Sequence, residues 1–135
     1  MQEQRTAAIC TVGTEITTGL RLDTNTREVA FSLLKAGYHV NETVSLPDDR
    51  ASVASALTRL TASCDLVVVT GGLGPTHDDI TRDAASDALS RPMFVDAAIE
   101  AGLSEWAGRQ SSTEAAQQVM RQALLIEGAT DRKST

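Results

Sequence analysis

The chain is poor in aromatic residues and has no excess of positive charge. These two features exclude a nucleic acid as its binding partner. Aromatic side chains make up 3% of the 135 residues, too few for a platform on which nucleic-acid bases stack. The formal net charge is −6, whereas a nucleic-acid-binding domain is expected to carry a basic patch. We therefore expect no nucleic-acid partner, and a phosphate ligand would be held by backbone dipoles and a metal.

Long apolar runs and a secretion signal are missing too. No apolar run approaches the roughly 20 residues that span a bilayer, and the polar start Met1–Thr6 lacks the apolar region of a signal peptide. We expect no membrane partner and a cytoplasmic location. The two cysteines, Cys10 and Cys64, lie in or beside apolar runs without metal-site spacing, which predicts reduced, buried thiols rather than a disulfide.

Apolar runs alternate with helical patterns in the first two thirds of the chain. Strands are predicted at Ala7–Val12, His39–Leu46 and Leu66–Thr70, and the last is nearly all apolar, as in a strand covered on both faces. Helical spacing follows each strand. This order predicts an α/β fold, a three-layer α-β-α sandwich with a mainly parallel sheet.

The predicted helices begin at capping residues. Asn25–Glu28 resembles a capping box, Asp48 or Asp49 can cap the second helix, and the third runs from Asp79 to about Leu89.

Beyond Pro92 the pattern is mostly helical, with one ambiguous segment. A helix is predicted near residues 99–106 and another from Thr113 to about Leu124, although Leu124–Ile126 can instead begin a strand before a Glu127–Gly128 turn. We expect one domain over residues 1–135, with a disordered polar tail from about residue 130.

The most informative stretch is Val67–Thr81, in which an apolar strand is followed by three glycines, a proline and a carboxylate cluster. Glycines let backbone N–H groups approach a ligand closely, and the N-terminus of the following helix favours an anion. Paired carboxylates beside an anion are typical of Mg²⁺, which takes one or two carboxylates and phosphate oxygens. The stretch predicts a site for a phosphorylated small molecule with a divalent metal at Asp78 and Asp79.

Other polar residues follow the predicted strands, whose carboxyl ends meet at one sheet edge, where ligands bind. Each candidate also has a structural interpretation: the acidic residues and Asn25 can cap helices or face solvent, and the glycines and threonines can form turns. The candidate ligand-binding residues are Thr14, Glu15, Asp23, Asn25, Thr70, Gly71, Gly72, Gly74, Pro75, Thr76 and Thr81.

The stretch Thr70–Arg82, TGGLGPTHDDITR, together with Val12–Gly19 and Asp23–Asn25, resembles the MoaB/Mog molybdopterin-binding-like domain. It resembles more closely the amino-terminal domain of the competence/damage-inducible CinA family, over about residues 7–129. The resemblance implies a doubly wound sheet with a ligand cleft at the glycine-rich loop. It also implies catalytic roles for Asp48 and Asp79.

The resemblance leaves three functions open. The CinA type implies metal-dependent hydrolysis of the diphosphate of ADP-ribose-like nucleotides, with Mg²⁺, Mn²⁺ or Co²⁺. The MoaB/Mog type implies molybdopterin binding, with adenylylation in molybdenum cofactor biosynthesis. The third is a non-catalytic binding or assembly module, because the family pattern continues past Gly128–Ala129 whereas this chain ends at Thr135, which suggests C-terminal truncation. An open sheet edge would favour oligomerisation, and the resemblance implies a homo-oligomer, a dimer or trimer.

Overall fold

A three-stranded parallel sheet forms the centre of the molecule. The computed structural model describes residues 3–130, so the tail predicted beyond residue 130 lies outside the described residues. The strands are β1 (Arg5–Val12), β2 (Tyr38–Leu46) and β3 (Leu66–Thr70), in the order β2-β1-β3. Both outer strands pair with β1 in parallel, which confirms the α/β fold. The helices between and after them are α1 (Thr14–Thr17), α2 (Asn25–Lys35), α3 (Arg50–Ser63) and α4 (Thr81–Leu89).

Helices cover both faces of this sheet and produce the predicted three layers. On one face, Cys10 of β1 is buried with Val53 and Leu60 of α3 and Ala84 of α4. On the other face, alternate residues of β1 are buried against Leu33 of α2. Because successive side chains of a strand point to opposite faces, β1 supplies both cores through its apolar residues Ala7–Cys10 and Val12.

A β-bulge lets β2 contribute to both cores. β1 pairs with Val40 and then directly with Glu42, so Asn41 is an extra residue in β2. Such an insertion moves the side chains that follow it to the other face. Val40 accordingly packs on the α2 side of the sheet, whereas Val44 packs on the α3 side.

The C-terminal part contains a small antiparallel sheet. It consists of β4 (Met93–Val95), α5 (Ala97–Ala107), α6 (Thr113–Met120), a 3-10 turn at Arg121–Ala123, and β5 (Leu124–Ile126). β4 pairs with β5. The helix predicted to reach Leu124 is wrong beyond Met120, and the alternative strand is confirmed. β4 was not predicted, because three residues show no periodicity and their partner lies about 30 positions away.

One predicted helix start is confirmed, and another differs from the structure. Asp49 does cap α3, because its carboxylate accepts a hydrogen bond from Ser52 N at 2.9 Å. α4, however, begins at Thr81 and not at Asp79, and its N-cap residue Ile80 makes no side-chain cap bond. The carboxylates of the motif therefore belong to the loop before the helix.

The two cysteines are free thiols, as predicted. Cys10 is buried in the core, and burial raises the pKa of its thiol to about 11, so it stays neutral near pH 7. Cys64 is half-buried at the end of α3. No helix within residues 3–130 has the length and apolar character needed to cross a membrane.

We predict that Leu60→Ala destabilises the fold strongly. Leu60 is fully buried between α3 and the sheet, and truncating such a residue costs about 2–5 kcal/mol through lost transfer energy and a cavity. The matched control is Leu20→Ala, at a leucine that is 85% exposed, where we expect a change within about 0.5 kcal/mol. Urea denaturation followed by circular dichroism measures both, and equal losses would contradict the two-faced core.

Candidate functional site

The carboxyl ends of the three strands meet at one edge, and hydrogen bonds join the loops that leave it. Gly13 N donates to Leu46 O at 2.8 Å. Thr14 N donates to Asp48 Oδ2 at 3.3 Å, and Asp48 N donates to Thr14 Oγ1 at 3.0 Å. The structure therefore uses Thr14 and Asp48 to hold the loop after β1 against the loop after β2.

The glycine-rich loop after β3 is packed too closely for side chains at its first two positions. Gly71 and Gly72 have φ angles of 85° and 67°, a region that L-residues rarely adopt. A Cβ at Gly71 would lie 2.1 Å from Val12 O, and one at Gly72 would lie 2.2 Å from Thr81 Oγ1. Only glycine fits at these two positions.

Thr81 lies behind this loop and supports it. Its side chain is buried, Oγ1 donates to Gly71 O at 2.7 Å, and its N–H donates to Gly72 O at 3.1 Å. The hydroxyl predicted to bind a ligand is thus occupied by the backbone of the loop.

Asp79 closes the second half of the loop. Its Oδ2 accepts hydrogen bonds from Thr76 N at 3.0 Å and Thr76 Oγ1 at 2.8 Å. A Cβ at Gly74 would lie 2.5 Å from the same oxygen, so a side chain at this position would displace the Asp79 carboxylate. Pro75 lies between these contacts and is exposed. The neighbouring Asp78 is 80% exposed, and its nearest ionisable partner is His77 at 3.6 Å.

The loop leaves three successive backbone donors without an acceptor. Within residues 3–130, the N–H groups of Gly72, Leu73 and Gly74 donate to no protein atom, whereas the carbonyls of Gly71, Gly72 and Leu73 each accept a hydrogen bond. Successive N–H groups on a turn of this kind form concavities that bind anions. The three backbone N–H groups of the loop are therefore available to donate hydrogen bonds to an anion.

A polar cleft of about 140 Å³ lies between the loop after β1 and the end of β3. Five of the residues predicted to bind a ligand line this cleft. One of them, Gly71, is also part of the glycine-rich loop. Arg21 also lines the cleft, and this arginine forms no ion pair within the described part of the chain. Sequence reasoning missed Arg21, although a cation in a loop beside a predicted anion site was a usable signal. The predicted residues in the cleft are Glu15, Asp23, Asn25, Thr70 and Gly71.

Asp23 is the most constrained acidic group in the cleft. It accepts hydrogen bonds from Thr26 N at 3.1 Å, from Thr11 Oγ1 at 3.1 Å, and from Thr26 Oγ1. Burial favours the protonated form, but the hydrogen bonds from Thr26 and Thr11 outweigh it and lower the pKa of Asp23. The predicted capping box at Asn25–Glu28 is wrong, because the N-cap residue of α2 is Thr24, which makes no side-chain cap bond. Asp23, which precedes Thr24, instead accepts a hydrogen bond from Thr26 N in the first turn of the helix.

Thr70, which lines the same cleft as Asp23, carries a polar atom without a described partner. Its Oγ1 is buried and has no hydrogen-bond partner among the described residues. Thr70 lines the cleft and pairs in register with Thr11, the residue that donates to Asp23. A buried hydroxyl without a partner is costly, so this position favours a ligand group that supplies one.

The acidic residues fit a metal that arrives with a ligand. Among residues 3–130, no three His, Cys, Asp or Glu side chains lie close enough to hold a metal ion. No protein group in that range donates to Asp79 Oδ1, and Asp78 is beside it. Mg²⁺ is commonly bound by one or two carboxylates while phosphates and water complete its shell. The donors therefore fit a phosphate-bound cation and not a metal caged by protein alone.

Comparison with known proteins agrees with the architecture. Residues 8–132 match the model of a family described as probable molybdopterin binding domain. The CinA-like protein of Thermotoga maritima is 37% identical over 123 residues, which are 91% of this chain and 30% of that protein. The chain thus spans about 30% of the length of this curated relative.

Solved structures show the same fold. The crystal structure of the protein CinA from Thermoplasma acidophilum, described as of unknown function, has a TM-score of 0.82 at 28% identity and covers 91% of this chain and 71% of its own. The molybdopterin biosynthesis enzyme MoaB from Thermus thermophilus has a TM-score of 0.61 at 19% identity, with 88% of each chain covered. These likenesses confirm the resemblance and the α/β sandwich predicted from the sequence.

We predict that Thr70→Val stabilises the unliganded protein. The substitution removes a buried hydroxyl that has no described partner and keeps the branched shape, so the free energy of unfolding should rise by about 1 kcal/mol. Thr43→Val, at an exposed position of β2, is the control and should change it by less than about 0.5 kcal/mol. Thermal and urea unfolding measure both, and a clear destabilisation by Thr70→Val would show that the hydroxyl has a partner.

Proposed function

The chain belongs to the family of probable molybdopterin binding domains, and we propose that it binds a phosphorylated small molecule at the carboxyl edge of its sheet. The glycine-rich loop binds phosphate oxygens, and the adjoining cleft holds the organic part of the ligand. The observation that carries this proposal is the row of N–H groups at Gly72, Leu73 and Gly74 without acceptors. Donors fixed in this way stabilise an anion without reorganisation.

We favour a nucleotide diphosphate of the ADP-ribose type as ligand, and hydrolysis of its diphosphate as the activity. The support is the identity with a CinA-like protein together with the charges around the loop. Arg21 is the cation of the cleft, and a guanidinium matches phosphate geometry. Because the whole chain carries a net charge of −6, these local donors, and not overall attraction, must bind the diphosphate.

The acidic residues of the loop have distinct roles in this proposal. Asp79 Oδ1 and Asp78 would hold Mg²⁺, Mn²⁺ or Co²⁺ on the diphosphate, and such a cation supplies charge neutralisation at phosphorus and a more acidic bound water. Asp79 Oδ2 stays bonded to Thr76 and keeps the loop open. Asp48, bonded to Thr14, positions the first loop and acts through it.

Molybdopterin is the alternative ligand. The family description names it, and its phosphate would use the same N–H groups. Adenylylation would place ATP and Mg²⁺ at the same loop, as the resemblance to the MoaB/Mog type implies.

A cytoplasmic location and a dimeric or trimeric assembly belong to the same proposal. The free thiols of Cys10 and Cys64 suit a reducing compartment. The outer edge of β3 has no neighbour among the described strands, and its five residues are half-buried. An uncharged edge of this kind favours contact with another chain. In the third alternative, a non-catalytic assembly module, this contact would itself be the function.

We predict that Asp79→Asn lowers the turnover of ADP-ribose about 100-fold or more, because the loop keeps an acceptor for Thr76 while the charge beside the diphosphate is lost. The assay measures AMP release with Mg²⁺, Mn²⁺ or Co²⁺. Asp96→Asn is the matched control, since Asp96 caps α5 far along the chain and asparagine caps equally well. Unchanged turnover in Asp79→Asn would contradict the proposal.

The same preparation separates the alternatives. AMP transfer from ATP to molybdopterin, with ADP-ribose left intact, would replace hydrolysis by adenylylation. A folded protein that shows neither activity would favour the third function, a non-catalytic binding or assembly module.

A further inference from the structure

We propose that Gln122, on the 3-10 turn before β5, is a positioning residue of the glycine-rich loop. Its side chain holds the peptide group between Leu73 and Gly74 so that the Gly74 N–H faces a bound phosphate. This inference rests on the proposed function, in which the loop binds phosphate oxygens. It goes further because it gives the C-terminal part of the chain a role in that binding.

Each loop N–H that has no acceptor among the described residues belongs to a peptide group whose carbonyl is already hydrogen-bonded. The peptide bonds of residues 3–130 are trans, and in a planar trans peptide the C=O and the N–H point in opposite directions. A donor that binds the carbonyl from one side therefore turns the N–H of the same peptide group toward the other side. The carbonyls concerned are those of Gly71, Gly72 and Leu73, and the N–H groups linked to them are those of Gly72, Leu73 and Gly74.

Two residues hold these three peptide groups. Thr81 holds the first two, because its Oγ1 donates to Gly71 O at 2.7 Å and its N–H donates to Gly72 O at 3.1 Å. The third carbonyl, Leu73 O, accepts a hydrogen bond from Gln122 Nε2 at 3.3 Å. Gln122 therefore does for the Gly74 N–H what Thr81 does for the two N–H groups before it.

The peptide group between Leu73 and Gly74 needs such a hydrogen bond because it can turn. Its plane rotates with ψ of Leu73 and φ of Gly74, and glycine adopts a wider range of φ than any other residue. Half a turn would point Leu73 O, and not the Gly74 N–H, toward the anion. The negative end of that carbonyl dipole repels a phosphate, so the bond from Gln122 selects the orientation that binds one.

The start of α4 holds the turn that carries Gln122. Arg82 Nη1 donates to Arg121 O at 3.1 Å, and Arg121 Nη2 forms an ion pair with Asp83 Oδ2 at 3.3 Å. The Asp83 side chain is 16% exposed, so this pair is largely shielded from solvent. The first turn of α4 thus supports the whole loop, directly through Thr81 and indirectly through the turn that bears Gln122.

The test compares Gln122→Met with Gln110→Met. Methionine keeps the length and the unbranched shape of glutamine but cannot donate a hydrogen bond. Gln110 is the matched control, since its Nε2 also donates to a backbone carbonyl at 3.3 Å, that of Trp106 in α5. Calorimetry with inorganic pyrophosphate and Mg²⁺ should show an affinity about three- to ten-fold weaker in Gln122→Met, the value of one hydrogen bond between neutral groups. Gln110→Met should bind as the unsubstituted chain does.

Chemical shifts of the labelled variants locate the lost donor. In Gln122→Met at saturating pyrophosphate we expect the shift change of the Gly74 N–H to be lost and those of the Gly72 and Leu73 N–H groups to remain. The carbonyl carbon of Leu73 should also move in the unliganded variant, because it loses its hydrogen bond. A general loss of stability does not produce this pattern, and thermal unfolding checks that the variants fold. Gln122→Ala, at the same half-buried position, removes the same donor with a smaller side chain and repeats the test.

The outcomes separate the role of Gln122 from the phosphate site. Unchanged affinity in both Gln122 variants, with the Gly74 shift change intact, would overturn the positioning role and leave the proposed function standing. A loss of shift change spread evenly over the three amides would also overturn it, because a general loosening of the loop would explain that result. No binding of pyrophosphate by the unsubstituted chain would overturn both proposals.

Discussion

The close approach of the glycine-rich loop to β1 and to the start of α4 determines the rest of the site. A Cβ at Gly71 would lie 2.1 Å from Val12 O, and a Cβ at Gly72 would lie 2.2 Å from Thr81 Oγ1. The hydroxyl of Thr81 donates a hydrogen bond to the carbonyl of Gly71, and the N–H of Thr81 donates to the carbonyl of Gly72. These two carbonyls are paired with Thr81, whereas the N–H groups of Gly72, Leu73 and Gly74 have no acceptor among residues 3–130, and an anion is a suitable partner for such donors.

The neighbouring loops extend this one contact into a site with two chemically different parts. Donors from the loop after β3 suit phosphate, whereas carboxylates, hydroxyls and the guanidinium of Arg21 line the cleft beside them. Asp23 belongs to the second part and also accepts a hydrogen bond from Thr26 N in the first turn of α2, so the fold and the cleft depend on the same carboxylate. Asp48 and Thr14 hold the loops together, so in the proposed function they would act by positioning the first loop.

The sequence predicted the sheet well and the site incompletely, for identifiable reasons. The bounds of β3 are as predicted, because an apolar run ended by glycine leaves little choice. Asp79 was expected to open a helix, yet its carboxylate binds Thr76 three residues earlier, and local patterns do not distinguish a cap from a loop closure. The hydroxyl of Thr70, which has no partner among the described residues, emerges only when β1 and β3 lie side by side.

The most direct test of the account is an amide chemical-shift titration of the isotopically labelled chain with inorganic pyrophosphate and Mg²⁺. The account predicts the largest shifts at the N–H groups of Gly72, Leu73 and Gly74, with saturation at one equivalent. Shifts confined to other parts of the chain, such as the β4–β5 sheet, with those three amides unmoved, would contradict it.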